Sequence, residues 1–521
     1  MKLVRNFATV GGNTMLSRVL GFVRDMMMAS TLGAGPVSDA FFVAFKLPNL
    51  FRRLFAEGAF NSAFVPLLAR AEAEEGREGA NRFASDVLAW LLTILLALTA
   101  LAQIFAPLLV VAMAPGFADD DNFSLTVLFT RICFPYLMAM SIVAFLSGIL
   151  NTQGRFAAAA FAPVLLNVVL ISVLGAASFM GLDPPSVALW LSWGVFAAGV
   201  LQAVMLAFAV AGIGVRLRLS RPRSTPRLKR MLTLGLPGVA AGGVTQINIV
   251  AGTIIASFWP SAVSYLYFAD RLYQLPLGVV GIAIGVALLP DLSRRLRAGD
   301  EGGAAWTQNR ALEFAMMLTL PAAAALIVVP LEIVVTLFEH GAWTREASVM
   351  TAAALAAYGF GLPAFVLIKV LSPAFFARED TFTPLVYAAV SMVVNVAGSI
   401  ILATYLAPQG LPHVGIAVAT SIAGWVNAML LFITLVRRGH FPLDATLRRR
   451  ALGFVAASLA VMIVAVLIAR GFQTWFMDGD RMETIAALSV MVGTSAVIFF
   501  AASEVAGGYG VRDIVRAFKR R

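Results

Sequence analysis

Apolar runs about as long as the 20 or so residues that a helix needs to cross a bilayer recur along this chain, separated by short polar segments. Fourteen can be placed, at 9–32, 37–68, 84–113, 123–150, 157–180, 186–213, 232–258, 263–289, 311–338, 349–376, 382–406, 413–436, 452–469 and 483–505. The second is the least like a plain anchor, because it carries Asp39, Lys46, Asn49, Arg52, Arg53 and Glu57 among its apolar residues. At helical spacing these groups share one half of the helix, and Phe, Leu, Ala and Val fill the other. A charge near the centre of a transmembrane helix costs about 2.5–3.5 kcal/mol, so this face is expected to line water or a polar site. Pro48 and Gly58 lie inside the run and are expected to bend it.

The pattern predicts an all-α polytopic membrane protein, and composition agrees. Of 521 residues 60% are hydrophobic and 13% charged, against about 45–50% and 25% in soluble domains. The one cysteine, Cys133, sits in an apolar run, which excludes a disulfide framework and a thiolate metal centre. The basic Met1–Arg5 stretch superficially resembles the start of a signal peptide, but the run behind it holds Arg18, Arg24 and Asp25 and reads as a retained first span.

A net charge of +11 raises the question of nucleic acid. The distribution answers it. With the N-terminus inside, 28 of the 39 Lys and Arg fall in cytoplasmic segments and only Arg345, Arg470 and Arg481 outside, where the acidic turn Asp119–Asp121 also lies. Lys and Arg resist translocation, so this bias places both termini in the cytoplasm and makes the number of spans even. The basic charge is topological, and no nucleic-acid partner is expected.

An internal repeat organises the spans. Val37-Ser38 returns as Val263-Ser264, Leu47-Pro48 as Leu275-Pro276, and Pro135 and Asn167 as Pro363 and Asn395, all at offsets of 226 or 228 residues. Six spans fill that period and bring the chain back to the same face, as in a parallel duplication. The expected organisation is an N-terminal lobe at 1–215 with helices 1–6, a basic cytoplasmic linker at 216–231, a C-terminal lobe at 232–440 with helices 7–12, and helices 13–14 with a basic tail at 441–521.

The candidate site lies on the first, second and eighth spans. Ser17-Arg18 and Arg24-Asp25 mark the first, and Asp270-Arg271 the eighth, where Arg24 with Asp25 also reads as a simple local ion pair. Arg18, Arg24, Lys46, Arg52, Arg53 and Arg271 face Asp25, Asp39, Glu57 and Asp270, a formal excess of two positive charges. The planar guanidinium fork suits phosphate oxygens, so the expected ligand is phosphorylated or pyrophosphorylated. No catalytic set is apparent: there is no P-loop, HExxH or G-x-S-x-G, and His340, His413 and His440 are scattered. No metal site or cofactor is expected, which leaves a monovalent cation or the membrane potential as the coupling source.

The stretches SRVLGFVRD (from Ser17), SDAFFVAFKLPNLFRRLFAEGAFNSAFVP (from Ser38), YFADRLYQLPLGVVGIAIGVALLPDLSR (from Tyr267) and YGFGLPAFVLIKVLSPAFFAREDTFTP (from Tyr358) closely resemble the bacterial MurJ (MviN) lipid II flippases of the MOP exporter superfamily. The resemblance implies two six-helix lobes around a central cavity, two further helices forming a lipid-tail groove, and export of undecaprenyl-pyrophosphate-linked muropeptide across the inner membrane by alternating access. It implies lipid II, the membrane and cell-wall synthesis proteins as partners. It assigns substrate binding to Arg18, Arg24, Arg52 and Arg271, with Asp25, Asp39 and Glu57 as neighbouring polar groups. ASFWPSAVS, from Ala256, lacks the arginine that the family carries near the start of the eighth helix, and no sodium site of the kind described for some members is recognisable. Two other functions fit the sequence less well. A cation-coupled exporter of the same superfamily would want an anionic cavity, and a membrane glycosyltransferase or polymerase acting on the same lipid would want a catalytic carboxylate and a large outer loop. Reporter fusions after Asp121 and after Arg223 are expected to report outside and inside respectively; the reverse pattern would contradict the topology.

Overall fold

The computed structural model describes residues 2–52, 60–118, 122–219 and 221–507, and among them every regular element is helical. The chain divides into two compact units, Met1–Ser264 with His340–Trp343, and Tyr265–Glu339 with Thr344–Arg521.

The first unit contains α1 (Lys2–Leu32), α2 (Pro36–Arg52), α3 (Phe60–Ile104), α4 (Ala106–Met113), α5 (Asn122–Cys133), α6 (Tyr136–Thr152), α7 (Phe156–Phe179), α8 (Pro184–Gly212) and α9 (Pro226–Ala256). Here α1 packs on α7, α7 and α6 on α8, α2 on α5, and α3 on α6 and α9. From the second unit come α10 (Ala262–Arg297, whose first turn belongs to the first unit), α11 (Glu301–Val328), α12 (Pro330–Phe338), α13 (Arg345–Phe376), α14 (Phe382–Leu406), α15 (Pro412–Arg437), α16 (Ala445–Gly471), α17 (Gln473–Met477) and α18 (Arg481–Val505). In it α14 and α13 pack on α15, α11 packs on α13 and α16, and α16 packs on α18.

Ten helical segments of the described residues are long and apolar enough to cross a membrane. The other four of the fourteen expected spans are helical as well: they are α1, α2, α9 and α10, the first two positions of each proposed repeat. Several breaks fall where prolines dictate. The expected span at 84–113 divides at Phe105 and that at 311–338 at Val329, because Pro107 and Pro330 each open a new short helix. A proline has no N–H to give the preceding turn and crowds its carbonyl. The span at 123–150 likewise divides before Pro135, whereas Pro363 sits inside a continuous α13. In the second span Pro48 lies inside α2, which ends at Arg52, and Gly58 is outside the described residues. Helix continues from Phe60 into the third span, turning at Gly76 (φ 67°, ψ −168°), a left-handed backbone that only glycine adopts without strain.

The last long helices, α16 and α18, are built into the second unit. Phe454, Val461 and Phe499 of α16 and α18 pack with Met317 of α11, and Ala465, Ala487 and Met491 with Val329. At one end Glu313, fully buried, is held by Arg310 at 2.5 Å and by Arg450 at 2.8 Å, while Asp444 caps α16 through the Leu447 N–H. Leaving such a carboxylate without its cations would be costly, so this cluster locks α16 onto α11. In the turn between α13 and α14, outside the spans, Asp380 accepts from the Thr383 N–H and hydroxyl and from Arg438, which holds its carboxyl down to about 2.

The α14–α15 contact depends on small residues, as expected where no hydrophobic effect acts between helices in lipid. A Cβ on Gly415 would stand 2.5 Å from the Leu402 carbonyl carbon. Gly415→Val is therefore expected to lower stability by about 1–3 kcal/mol, read as a drop in thermal unfolding temperature of the purified protein; an unchanged temperature would show that α14 moves aside freely.

Candidate functional site

A buried polar network ties α1 to α7. Arg24 is 8% exposed and Asp25 3%, although both lie in the first span. The Arg24 guanidinium donates twice to one Asp25 oxygen, from Nε at 3.1 Å and Nη2 at 2.7 Å, and its Nη1 donates to Asn167 Oδ1 at 3.0 Å. The Asn167 amide then donates back to α1, to the Ser17 carbonyl at 2.9 Å and its hydroxyl at 3.3 Å. The local ion pair is thus present, but it is one part of an interhelical network. Asn167 was conspicuous in the sequence only as a member of the repeat; its partners lie 143 and 150 residues away. Arg18, by contrast, is exposed.

Two residues of α2 reach elements far along the chain. Lys46, half-buried, donates to the hydroxyl of Thr253 on α9. Asp39, 1% exposed, accepts from the Ser264 N–H at 2.7 Å and from the Ser264 hydroxyl, and Ser264 also donates to the Gly35 carbonyl. A carboxylate at the first turn of α10 satisfies backbone N–H groups that the helix leaves open and sits well in the helix dipole. The start of α2, through Gly35 and Asp39, therefore meets Ser264 at this junction, with the Ser38 hydroxyl donating to the Gly33 carbonyl. Asn49 is half-buried on α2. Of Arg52 only the backbone is described, at the last residue of α2, and Arg53 and Glu57 lie outside the described residues.

In the second unit, Arg271 lies over the Tyr267 ring with its guanidinium carbon 4.7 Å from the centroid, and Asp270 accepts from Gln274. Tyr273 on the same helix stacks on Tyr358 at 5.2 Å and contacts Phe365. Cation and aromatic faces side by side can hold an anion and the apolar body attached to it. Among the described residues no group of His, Cys, Asp and Glu is arranged to hold a metal ion.

These features define a class: a polytopic helical membrane protein with many apolar spans and with charged, networked residues on a few of its helices. The sequence model of the family described as "Lipid II flippase MurJ" matches residues 28–484. A "Probable lipid II flippase MurJ" of Rhizobium meliloti (strain 1021) is 49% identical over 524 residues, covering 100% of this chain and 97% of that one. The "Lipid II flippase MurJ" of Burkholderia cenocepacia is 34% identical, covering 97% and 98%. Among solved structures, "Lipid II flippase MurJ, inward closed conformation" superposes with a TM-score of 0.78 at 26% identity over 97% of this chain and 99% of that one. An inward-facing MATE transporter of the MOP superfamily shares the fold, with a TM-score of 0.68 at 17% identity over 81% and 94%. The chain belongs to the MurJ family and is a multi-pass protein of the bacterial inner membrane.

Removing one partner from a buried pair leaves an uncompensated charge. Asp25→Ala is expected to destabilise the protein by about 3–5 kcal/mol, and Asn167→Ala by about 1–3 kcal/mol. Thermal unfolding checks both, and equal, near-zero changes would show that water substitutes for the network.

Proposed function

We infer that this chain is a lipid II flippase, a transporter that moves undecaprenyl-pyrophosphate-linked muropeptide from the inner to the outer leaflet and has no chemical step of its own. The observation that carries the inference is family membership over nearly the whole chain, and the cationic surplus on the polar helices fits the doubly charged group that must cross. Arg18, Arg24, Arg52 and Arg271 bind the pyrophosphate. Arg24 is oriented by Asp25 and Asn167, and Ser17, Asp39, Lys46, Asn49, Arg53, Glu57 and Asp270 complete the polar surroundings.

The transport unit is a duplicated six-helix repeat, at 1–215 and 232–440, working by alternating access with both termini in the cytoplasm. Supporting the repeat are the matched proline breaks before Pro107 and Pro330 and the matched packing of α6 and α7 on α8, and of α13 and α14 on α15. An outward-moving anion is driven by an inside-negative potential, at about 2.3 kcal/mol per net charge per 100 mV, without nucleotide. Cell-wall synthesis proteins that use the delivered precursor are its partners.

In sealed vesicles, Ala at Arg52 or Arg271 is expected to slow flipping by more than about tenfold while the protein stays folded, because a charge-assisted bidentate contact is lost; Arg24→Ala is expected to slow it as much and also to lower the unfolding temperature, since it leaves the buried Asp25 without its cation. Lys rescues in part, keeping the charge without the fork, and Arg53→Ala is tolerated. Wild-type rates in all three Ala variants would exclude an arginine clamp.

A further inference from the structure

The segment joining α8 to α9 is more than a tether. Its backbone is fastened to α3 at successive points: the Ile213 carbonyl accepts from Arg77, the Arg218 N–H donates to Ser85 Oγ, and the Arg223 carbonyl accepts from the Trp90 indole at 3.0 Å. Arg227, opening α9, pairs with Glu74 and Glu75. A connection that needed only to reach would not need so many bonds.

These bonds fix the depth of the strap. Counting back from Ile104, the about 20 residues that fill the ~30 Å hydrocarbon layer reach Ser85. Trp90, one turn further in, is of the type that settles at the membrane–water boundary. Arg218 and Arg223 are bonded through their backbones to these two residues, so the strap lies at the bilayer surface. Val215 and Leu217 are turned partly inward, while Arg216, Arg218, Arg221 and Arg223 are exposed. Among the described residues no carboxylate pairs with any of these four, in contrast to Arg227. Leu219, between them, is 78% exposed. A bare leucine within a row of unpaired arginines, at headgroup level, suits a surface with anionic oxygens above and acyl chain below.

We propose that the strap, residues 215–219 and 221–223, engages anionic phospholipid headgroups through Arg216, Arg218, Arg221 and Arg223 and inserts Leu219. Each arginine near an anionic surface contributes about 1 kcal/mol, roughly a fivefold change in the docked population. Docking would hold α3 and α9 to the bilayer where the chain passes from one proposed lobe to the next.

The test uses the full chain with Cys133→Ser and Leu219→Cys, labelled at 219 with a polarity-sensitive fluorophore, in nanodiscs of phosphatidylcholine with or without one third phosphatidylglycerol. Phosphatidylglycerol is expected to shift emission to the blue and shield the label from iodide. Arg→Gln at the four positions should abolish the shift, and single replacements should each lower the ratio of docked to undocked strap about fivefold. Because these side chains are exposed, the variants should keep the parent's unfolding temperature. Identical spectra in both lipids, or a shift that survives all four replacements, would overturn the proposal. So would a shift produced by a soluble acidic peptide and not by phosphatidylglycerol, which would make the strap a protein-docking segment.

Discussion

A guanidinium buried within a membrane-spanning segment is the constraint that the first unit is built to meet. Arg24 cannot be neutralised, and hydrocarbon offers it no solvation. Asp25 supplies the countercharge from the adjacent position, and Asn167 supplies an acceptor from α7. Because the same amide also grips the Ser17 carbonyl, two turns earlier on α1, it fixes the register of α1 against α7 as well as the direction of the fork. Packing of apolar residues alone could not do this, since one lipid-facing ridge resembles the next.

The same logic explains why polarity is concentrated in α1, α2, α9 and α10. Ten segments are long and apolar enough to cross a membrane; the remaining four are less apolar and have long-range polar partners. Asp39 meets Ser264 and Lys46 meets Thr253, so hydrogen bonds as well as shape specify these helices. The proposed duplication would give a reason for their positions, because each copy would open with its two least apolar spans. The second unit adds another fixed charge, Glu313 between two arginines, and uses it to hold α16.

Much of this was legible in the sequence. Hydropathy located the spans, and the offset shared by Pro135, Asn167 and their counterparts suggested the proposed repeat. It also pointed to Asn167, though not to its role, which depends on a residue 143 positions away. Asp39 read as a cavity-lining charge because helical periodicity shows which groups share a face and not what that face meets. The helix running from Phe60 through the turn at Gly76 was hidden for a different reason: the residues on both sides favour helix, and a single glycine in such a run reads as tolerated. The breaks at Phe105 and Val329 follow from prolines that hydropathy averages away.

If the intramembrane cationic surplus exists to hold a pyrophosphate, the charge of the headgroup sets affinity. Equilibrium binding of the purified protein to three polyprenyl lipids, differing only in a pyrophosphate, a monophosphate or an uncharged linkage to the same sugar, tests it most directly. Binding should be tightest to the pyrophosphate and at least about tenfold weaker to the uncharged lipid, with that discrimination lost in Arg24→Ala. Equal affinity for all three would contradict a pyrophosphate clamp, because recognition would then lie in the tail or the sugar and the intramembrane arginines would need another explanation.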